Sequence, residues 1–252
     1  MELDLSGILL LCLTGFLAGG INTVAGGGSN LTLPALMILG LPADIANASN
    51  RIAVLMQCAV GVAGFDKHKS LDRAAIGPIL LPTIIGGVCG AVAAALLPNL
   101  YLKPILLGTI LTVSVVILVK PNTIAPPPGT PVLSPSQHRG AWWALFASGV
   151  YGGFVQAGVG FILLAALAGG LRYDLLRANA LKMTCTLAFT VLSLAIFIAF
   201  GQVRWAPGLI LACGTMAGAH LAVKVAVKAS QNSIKWFLFA MTLLAVIGGF
   251  VF

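Results

Sequence analysis

Apolar runs, broken by short polar, glycine or proline punctuation, fill this chain from end to end. They fall at 5–24, 29–41, 45–65, 74–97 and 102–119, and again at 141–157, 160–171, 175–200, 205–228 and 234–252. Most reach the roughly 20 residues a helix needs to cross a bilayer. Two do not: at about 1.5 Å per residue, 29–41 and 160–171 span about 20 Å of a roughly 30 Å hydrocarbon core. Between the fifth and sixth runs lies KPNTIAPPPGTPVLSPSQHRG, 120–140, whose six prolines predict an extended linker and not a span.

The pattern repeats. Shifted by 132 positions, the two halves align without a gap: Gly26 and Gly28 fall on Gly158 and Gly160, and Ala46-Asn47-Ala48 on Ala178-Asn179-Ala180. Gly86 falls on Gly218, and Lys103 on Lys235. The short segments fall on each other too. Paired short or glycine-interrupted segments at corresponding places in two halves mark the binding site of repeat-built transporters. The expected fold is therefore an all-α polytopic membrane protein. It consists of two inverted five-segment repeats, with broken, short helices at the centre. The expected division is 1–120, a first transmembrane repeat; 121–139, a proline-rich cytoplasmic linker; and 140–252, a second transmembrane repeat.

Composition agrees and removes other classes. Hydrophobic residues make up 59% and charged residues only 8%, with a mean hydropathy of +1.05, against about 25% charged in soluble domains. The net charge of +8 does not predict nucleic acid as a partner, because most Lys and Arg sit in short loops, where they set membrane orientation. The start, MELDLSG, lacks the basic region of a cleavable signal, so Met1 onward is expected to remain with the first span. The cysteines, Cys12, Cys58, Cys89, Cys185 and Cys213, all lie in apolar runs and form no CxxC pair; they read as small buried hydrophobes.

Charge also orients the halves. With the basic loop Asp66–Arg73 placed inside, five crossings per half put ten Lys/Arg inside (Lys67, Lys69, Arg73, Lys120, Arg139, Arg172, Arg177, Lys224, Lys228 and Lys235) and only Lys103 and Arg204 outside. If the short segments merely dip in and out, the split is six and six. The positive-inside rule favours five crossings, inverted halves and both termini outside. Trp142, Trp143 and Trp205, beside Arg139 and Arg204, read as interface anchors. Arg51 and Lys182 stand apart. They lie a turn or two into the third segment of each half, at nearly corresponding positions, where a charge is costly and points to a function or a partner.

The stretch NTVAGGGSNLTLPALMILGLPADIANASNR, 22–51, concentrates the candidate chemistry. Gly26-Gly27-Gly28 lets the backbone turn and approach a ligand closely. Ser29 or Asn30 can cap the helix that follows, whose N-terminus is an anion site by its free N–H groups and dipole. Irregular backbone at depth requires protein or a water-filled cavity around it. The expected substrate-binding set is Asn22, Gly26, Gly27, Gly28, Ser29, Asn30, Asn47, Asn50, Arg51, Gln156, Gly158, Gly160, Asn179 and Lys182, with Thr184 and Thr186 as further donors. Tight helix packing through small residues accounts for other glycines, such as Gly86, Gly87 and Gly90. No nucleotide loop, metal set, cofactor site or nucleophile–base set is visible. His220, in a helix, reads as a buried structural histidine.

GGINTVAGGGSNLTLP followed by LGLPADIANASNRIAVLMQ resembles the TauE/SafE family of membrane permeases, as do ANALKM in the second half and the tail GQVRWAPGLILACGTMAGAHLAVKVAVK. The second half departs from the family pattern in reading GVGF, with Ala166 opposite Pro34. The resemblance implies a bacterial inner-membrane protein that moves small sulfur-containing anions such as sulfite, sulfonates or sulfoacetate. It thus implies a small anionic substrate and the lipid bilayer as partners, with homo-oligomers left open. The six acids all sit at termini or segment ends, so no buried carboxylate is offered for proton coupling; a secondary exporter fits best. A sodium- or proton-coupled anion importer and an anion channel stand as alternatives.

Overall fold

A computed structural model describes residues 4–119, 130–135, 138–230 and 233. The expected tenth segment, 234–252, and most of the linker lie outside them. The described elements are α1 (Leu5–Val24), α2 (Ser29–Ile38), α3 (Ala43–Lys67), a 3₁₀ turn (Arg73–Ala75), α4 (Ile76–Leu96), α5 (Asn99–Val119), α6 (Arg139–Phe154), α7 (Val159–Leu164) continuing as a π-helical turn (Ala165–Gly170), α8 (Leu175–Ala199) and α9 (Trp205–Ala226). Five of these, among the described residues, are long and apolar enough to cross a membrane: α1, α3, the stretch Arg73–Leu96, α8 and α9.

Local chemistry sets the helix boundaries. The carboxylate of Asp4 accepts from the Gly7 N–H at 2.8 Å and starts α1. That of Asp174 accepts from Leu176 and Arg177 at 3.1 and 3.0 Å and starts α8. Side-chain acceptors at these positions satisfy N–H groups that a first helical turn leaves over. Gly40, with a positive φ of 90°, ends α2 before Pro42.

The bundle is apolar on its outer surface and carries polar stripes within a largely apolar core, with the buried polar and charged groups facing the bundle interior as in membrane proteins. On α1, Leu5, Leu9, Leu13 and Leu17 face outward at four-residue spacing, while Gly7, Leu11, Gly15 and Ala18 face inward. Trp143 and Trp205 are more than half exposed. On α3 the buried face carries Asn47, Asn50, Arg51 and Gln57; on α8 it carries Asn179, Lys182, Thr186, Thr190 and Ser193. These positions recur at helical spacing, so each helix turns one polar stripe inward.

Packing interleaves the halves. α1 lies along α9, and α4 along α6. Both are glycine contacts: a Cβ on Gly15 or Gly19 would meet the backbone of Leu211 or Thr215, and one on Gly86 or Gly90 the backbone of Phe146 or Val150. Gly86, Gly87 and Gly90 are thus packing glycines, as expected. The contacts also fix relative directions. Gly15 and Gly19 meet Leu211 and Thr215 in rising order, so α1 and α9 run parallel. Ser49 binds the Arg204 N–H, and Ala53 accepts from Thr215, so α3 runs parallel to α9. Arg51 lies over Phe197 while Gly61 meets Met183, so α3 and α8 run antiparallel.

Three expectations are corrected. Neither Ser29 nor Asn30 caps α2: Gly28 occupies the N-cap, with no side-chain acceptor, because Ser29 is engaged with α3 instead. His220 is exposed on the outer face of α9, not buried. Of the cysteines, only Cys58 and Cys185 are buried; Cys89 and Cys213 face outward and Cys12 is half-buried. An apolar membrane exterior accepts a thiol as readily as a core does.

Candidate functional site

The broken segments meet at the centre. α1 ends at Val24, and Gly26 turns with a φ of 106°. α6 ends at Phe154, after which Gln156 and Gly158 adopt φ values of 67° and 72°. The left-handed region favours glycine, so the non-glycine Gln156 there is a strained residue held by its surroundings. The backbones of Gly26 and Gly160 are in direct contact: a Cβ on either would enter the other. A Cβ on Gly27 would meet the Phe161 ring at 2.6 Å, and one on Gly28 would meet Asn22 of its own half.

Two cations are buried here, Arg51 and Lys182, with 0% and 1% exposure. Each reaches into the opposite half. The Lys182 ammonium donates to the carbonyls of Asn22 (2.7 Å) and Thr23 (3.0 Å) at the end of α1, and to Asn179 Oδ1 (2.7 Å). The Arg51 guanidinium donates to the carbonyls of Gly152 (2.6 Å) and Gly153 (2.7 Å) at the end of α6, and to the side chain of Gln156. Asn47 Nδ2 donates to the Phe154 carbonyl at 2.8 Å. These are carbonyls a helix end leaves without partners, and cations there also complement the negative end of the dipole.

A second cluster ties α2 to α3. Asn50 Nδ2 donates to Ser29 Oγ at 3.1 Å, and Thr32 Oγ1 donates to Asn50 Oδ1 at 2.7 Å. Asn179 Nδ2 is spent on the Leu175 carbonyl and Thr184 Oγ1 on the Ala180 carbonyl of their own helix. Some polarity is left over. Among the described residues, both side-chain atoms of Asn30, Asn47 Oδ1, Arg51 Nε, Gln57 Nε2 and Thr190 Oγ1 are buried without a partner.

All fourteen predicted site residues are buried, and most are linked in the way just described. Sequence reasoning missed Thr32, Gln57, Thr190 and Phe197. Gln57 lies seven residues beyond Asn50 on the same face of α3, a spacing that could have found it. A groove of about 520 Å³ lies elsewhere, along α1 and α9. Among the described residues its lining is almost wholly apolar, with Phe16, Val24, Leu221 and Val225 among it and Ser233 as the one polar side chain, and carries no charge for an anion.

A family description, Sulfite exporter TauE/SafE, matches residues 11–248. The chain belongs to the TauE/SafE sulfite exporter family. It is 24% identical over 241 residues to a Probable membrane transporter protein of Haemophilus influenzae, covering 93% of this chain and 91% of that one. It is 25% identical over 234 residues to Probable membrane transporter protein ORF9 of a Sinorhizobium species, covering 90% and 86%. It is likewise 25% identical over 231 residues to Probable membrane transporter protein YfcA of Escherichia coli K12, covering 90% and 83%. No solved structure matches the chain significantly. Family, relatives and apolar helices together make this a multi-pass membrane transporter of a small molecule.

Proposed function

We propose that the protein is a secondary transporter that exports small sulfur-containing anions, such as sulfite, sulfonates or sulfoacetate, by alternating access. One observation carries the reading: two cations are fully buried, and no carboxylate is buried with them among the described residues. Burying a charge is costly. A site that keeps two of one sign, next to leftover amides and an N-terminus without a side-chain cap, is complementary to an anion.

The substrate-binding set is the one the sequence singles out: the glycine turns 26–28 and 158–160, Ser29 and Asn30 on α2, Asn47, Asn50 and Arg51 on α3, and Asn179 and Lys182 on α8, with Asn22 and Gln156 at the breaks. We place the halves as inverted repeats, both termini outside, the proline-rich linker in the cytoplasm and the protein in the inner membrane. Support comes from the antiparallel run of α3 and its repeat mate α8, and the parallel run of α3 and α9. A re-entrant second segment would reverse both relations.

The gradient for export needs no coupling ion. With the inside negative, one negative charge leaving releases about 2.3 kcal/mol per 100 mV. A sodium-coupled importer would use carbonyls freed at the helix breaks, but those at the ends of α1 and α6 already accept from Lys182 and Arg51.

Thermal stabilisation of the purified protein by a panel of sulfur oxyanions and organosulfonates tests the reading. A shift that saturates with one of them, and is absent in Arg51→Gln or Lys182→Gln, is expected. No shift with any, or unchanged shifts and transport in both variants, would remove the site.

A further inference from the structure

Asn30 is the unused part of this site. Its side chain is 1% exposed, and neither Nδ2 nor Oδ1 has a partner among the described residues. Its neighbour Ser29 is held by Asn50, and Thr32 holds Asn50 in turn, so the first turn of α2 is fixed. The repeat mate of Asn30 is Ile162, and those of Ser29 and Thr32 are Phe161 and Leu164; only the first half presents polar groups here. Pro34 adds to the surplus, since it has no N–H to give the Asn30 carbonyl four residues before it.

A buried amide lacking both partners is costly, and a native core satisfies such groups. The Lys182 ammonium and the Arg51 Nη groups already donate to carbonyls and side chains, but Arg51 Nε and Asn30 Nδ2 lack an acceptor among the described residues; an anion would satisfy both. It would not satisfy Asn30 Oδ1, which accepts. Building on the anion-transport reading, we propose that Asn30 is a specificity-determining residue. It selects sulfur oxyanions that carry a hydrogen-bond donor as well as acceptor oxygens. Nδ2 donates to a sulfonyl oxygen, and Oδ1 accepts from the substrate's own O–H. That chemistry is supplied either by a hydroxyalkylsulfonate or by a singly protonated inorganic oxyanion.

The test compares 2-hydroxyethanesulfonate with ethanesulfonate, equal in charge and differing by one hydroxyl, as ligands of the full chain in detergent. Sulfite is titrated in parallel between its doubly and singly charged forms. A site built around a hydroxyl rejects the analogue that lacks it, so the hydroxylated sulfonate is expected to bind about ten-fold or more tightly than ethanesulfonate if it is the source. Sulfite affinity tracking the singly protonated form would identify the inorganic source instead. Asn30→Leu removes the donor to the sulfonyl oxygen as well as the acceptor for the hydroxyl, so it should weaken both sulfonates and level either preference. Equal binding of the two sulfonates by the wild-type chain, together with sulfite affinity independent of protonation, would overturn the role of Asn30 while leaving the anion site standing. Failure of every anion to bind would overturn both.

Discussion

Gly26 and Gly160 touch through their backbones, each occupying the space where the other's side chain would lie. They belong to different halves, and no other residue type fits at either position. Gly26→Ala adds a methyl to a rigid contact and also strains a φ of 106°. It should cost about 1–3 kcal/mol or more of stability and abolish transport. Gly77→Ala, where a Cβ meets nothing within 4 Å, should be neutral or stabilising by up to about 1 kcal/mol. Thermal unfolding in detergent with a transport assay checks the pair; equal effects would deny the contact.

Lys182 separates a structural role from a functional one. Lys182→Met orphans the carbonyls of Asn22 and Thr23 and the Asn179 Oδ1, each worth about 1–3 kcal/mol, but relieves a buried charge that costs several kcal/mol. The variant should lose transport and anion-dependent stabilisation while the ligand-free protein unfolds at nearly the wild-type temperature. A steep drop in that temperature would make Lys182 a structural clamp alone.

Asn50 is the hinge between α2 and α3, bonding Ser29 and Thr32 at once. Asn50→Ala leaves two buried hydroxyls short of a partner and should cost about 2 kcal/mol. Its effect should be strongly non-additive with Ser29→Ala, because the two share a bond. A double-mutant cycle on unfolding free energy measures this; simple addition would contradict it.

Much of this was legible in the sequence. Runs of apolar residues gave α1 its bounds, and α3 and α8 theirs to within two residues, because lipid-spanning helices leave few alternatives. The breaks were legible too, from glycines at matched offsets. The partners of the charges were not. Lys182 binds carbonyls some 160 positions away, and a carbonyl has no sequence signature. Nor does sequence reveal that Ser29 turns to Asn50 and so leaves α2 uncapped. His220 shows the same limit: one helix face looks like another until its neighbours are known.

The orientation of the halves is open to direct labelling. In a cysteine-free background, Lys69→Cys and Gly201→Cys lie in the loops after α3 and after α8. With inverted halves the two loops face opposite sides. A membrane-impermeant thiol reagent should then label Gly201→Cys in intact cells, and Lys69→Cys only after permeabilisation. Labelling of both from one side would mean that α2 and α7 do not cross.

Flux in proteoliposomes tests the central claim most directly. The claim is that two buried cations at paired helix breaks carry a small sulfur-containing anion down the membrane potential. Uptake of labelled sulfite or of a sulfonate should saturate, show counterflow, rise as the interior is made positive, and vanish in Arg51→Gln or Lys182→Gln. Flux no greater than in protein-free liposomes, or flux indifferent to both voltage and these substitutions, would contradict it.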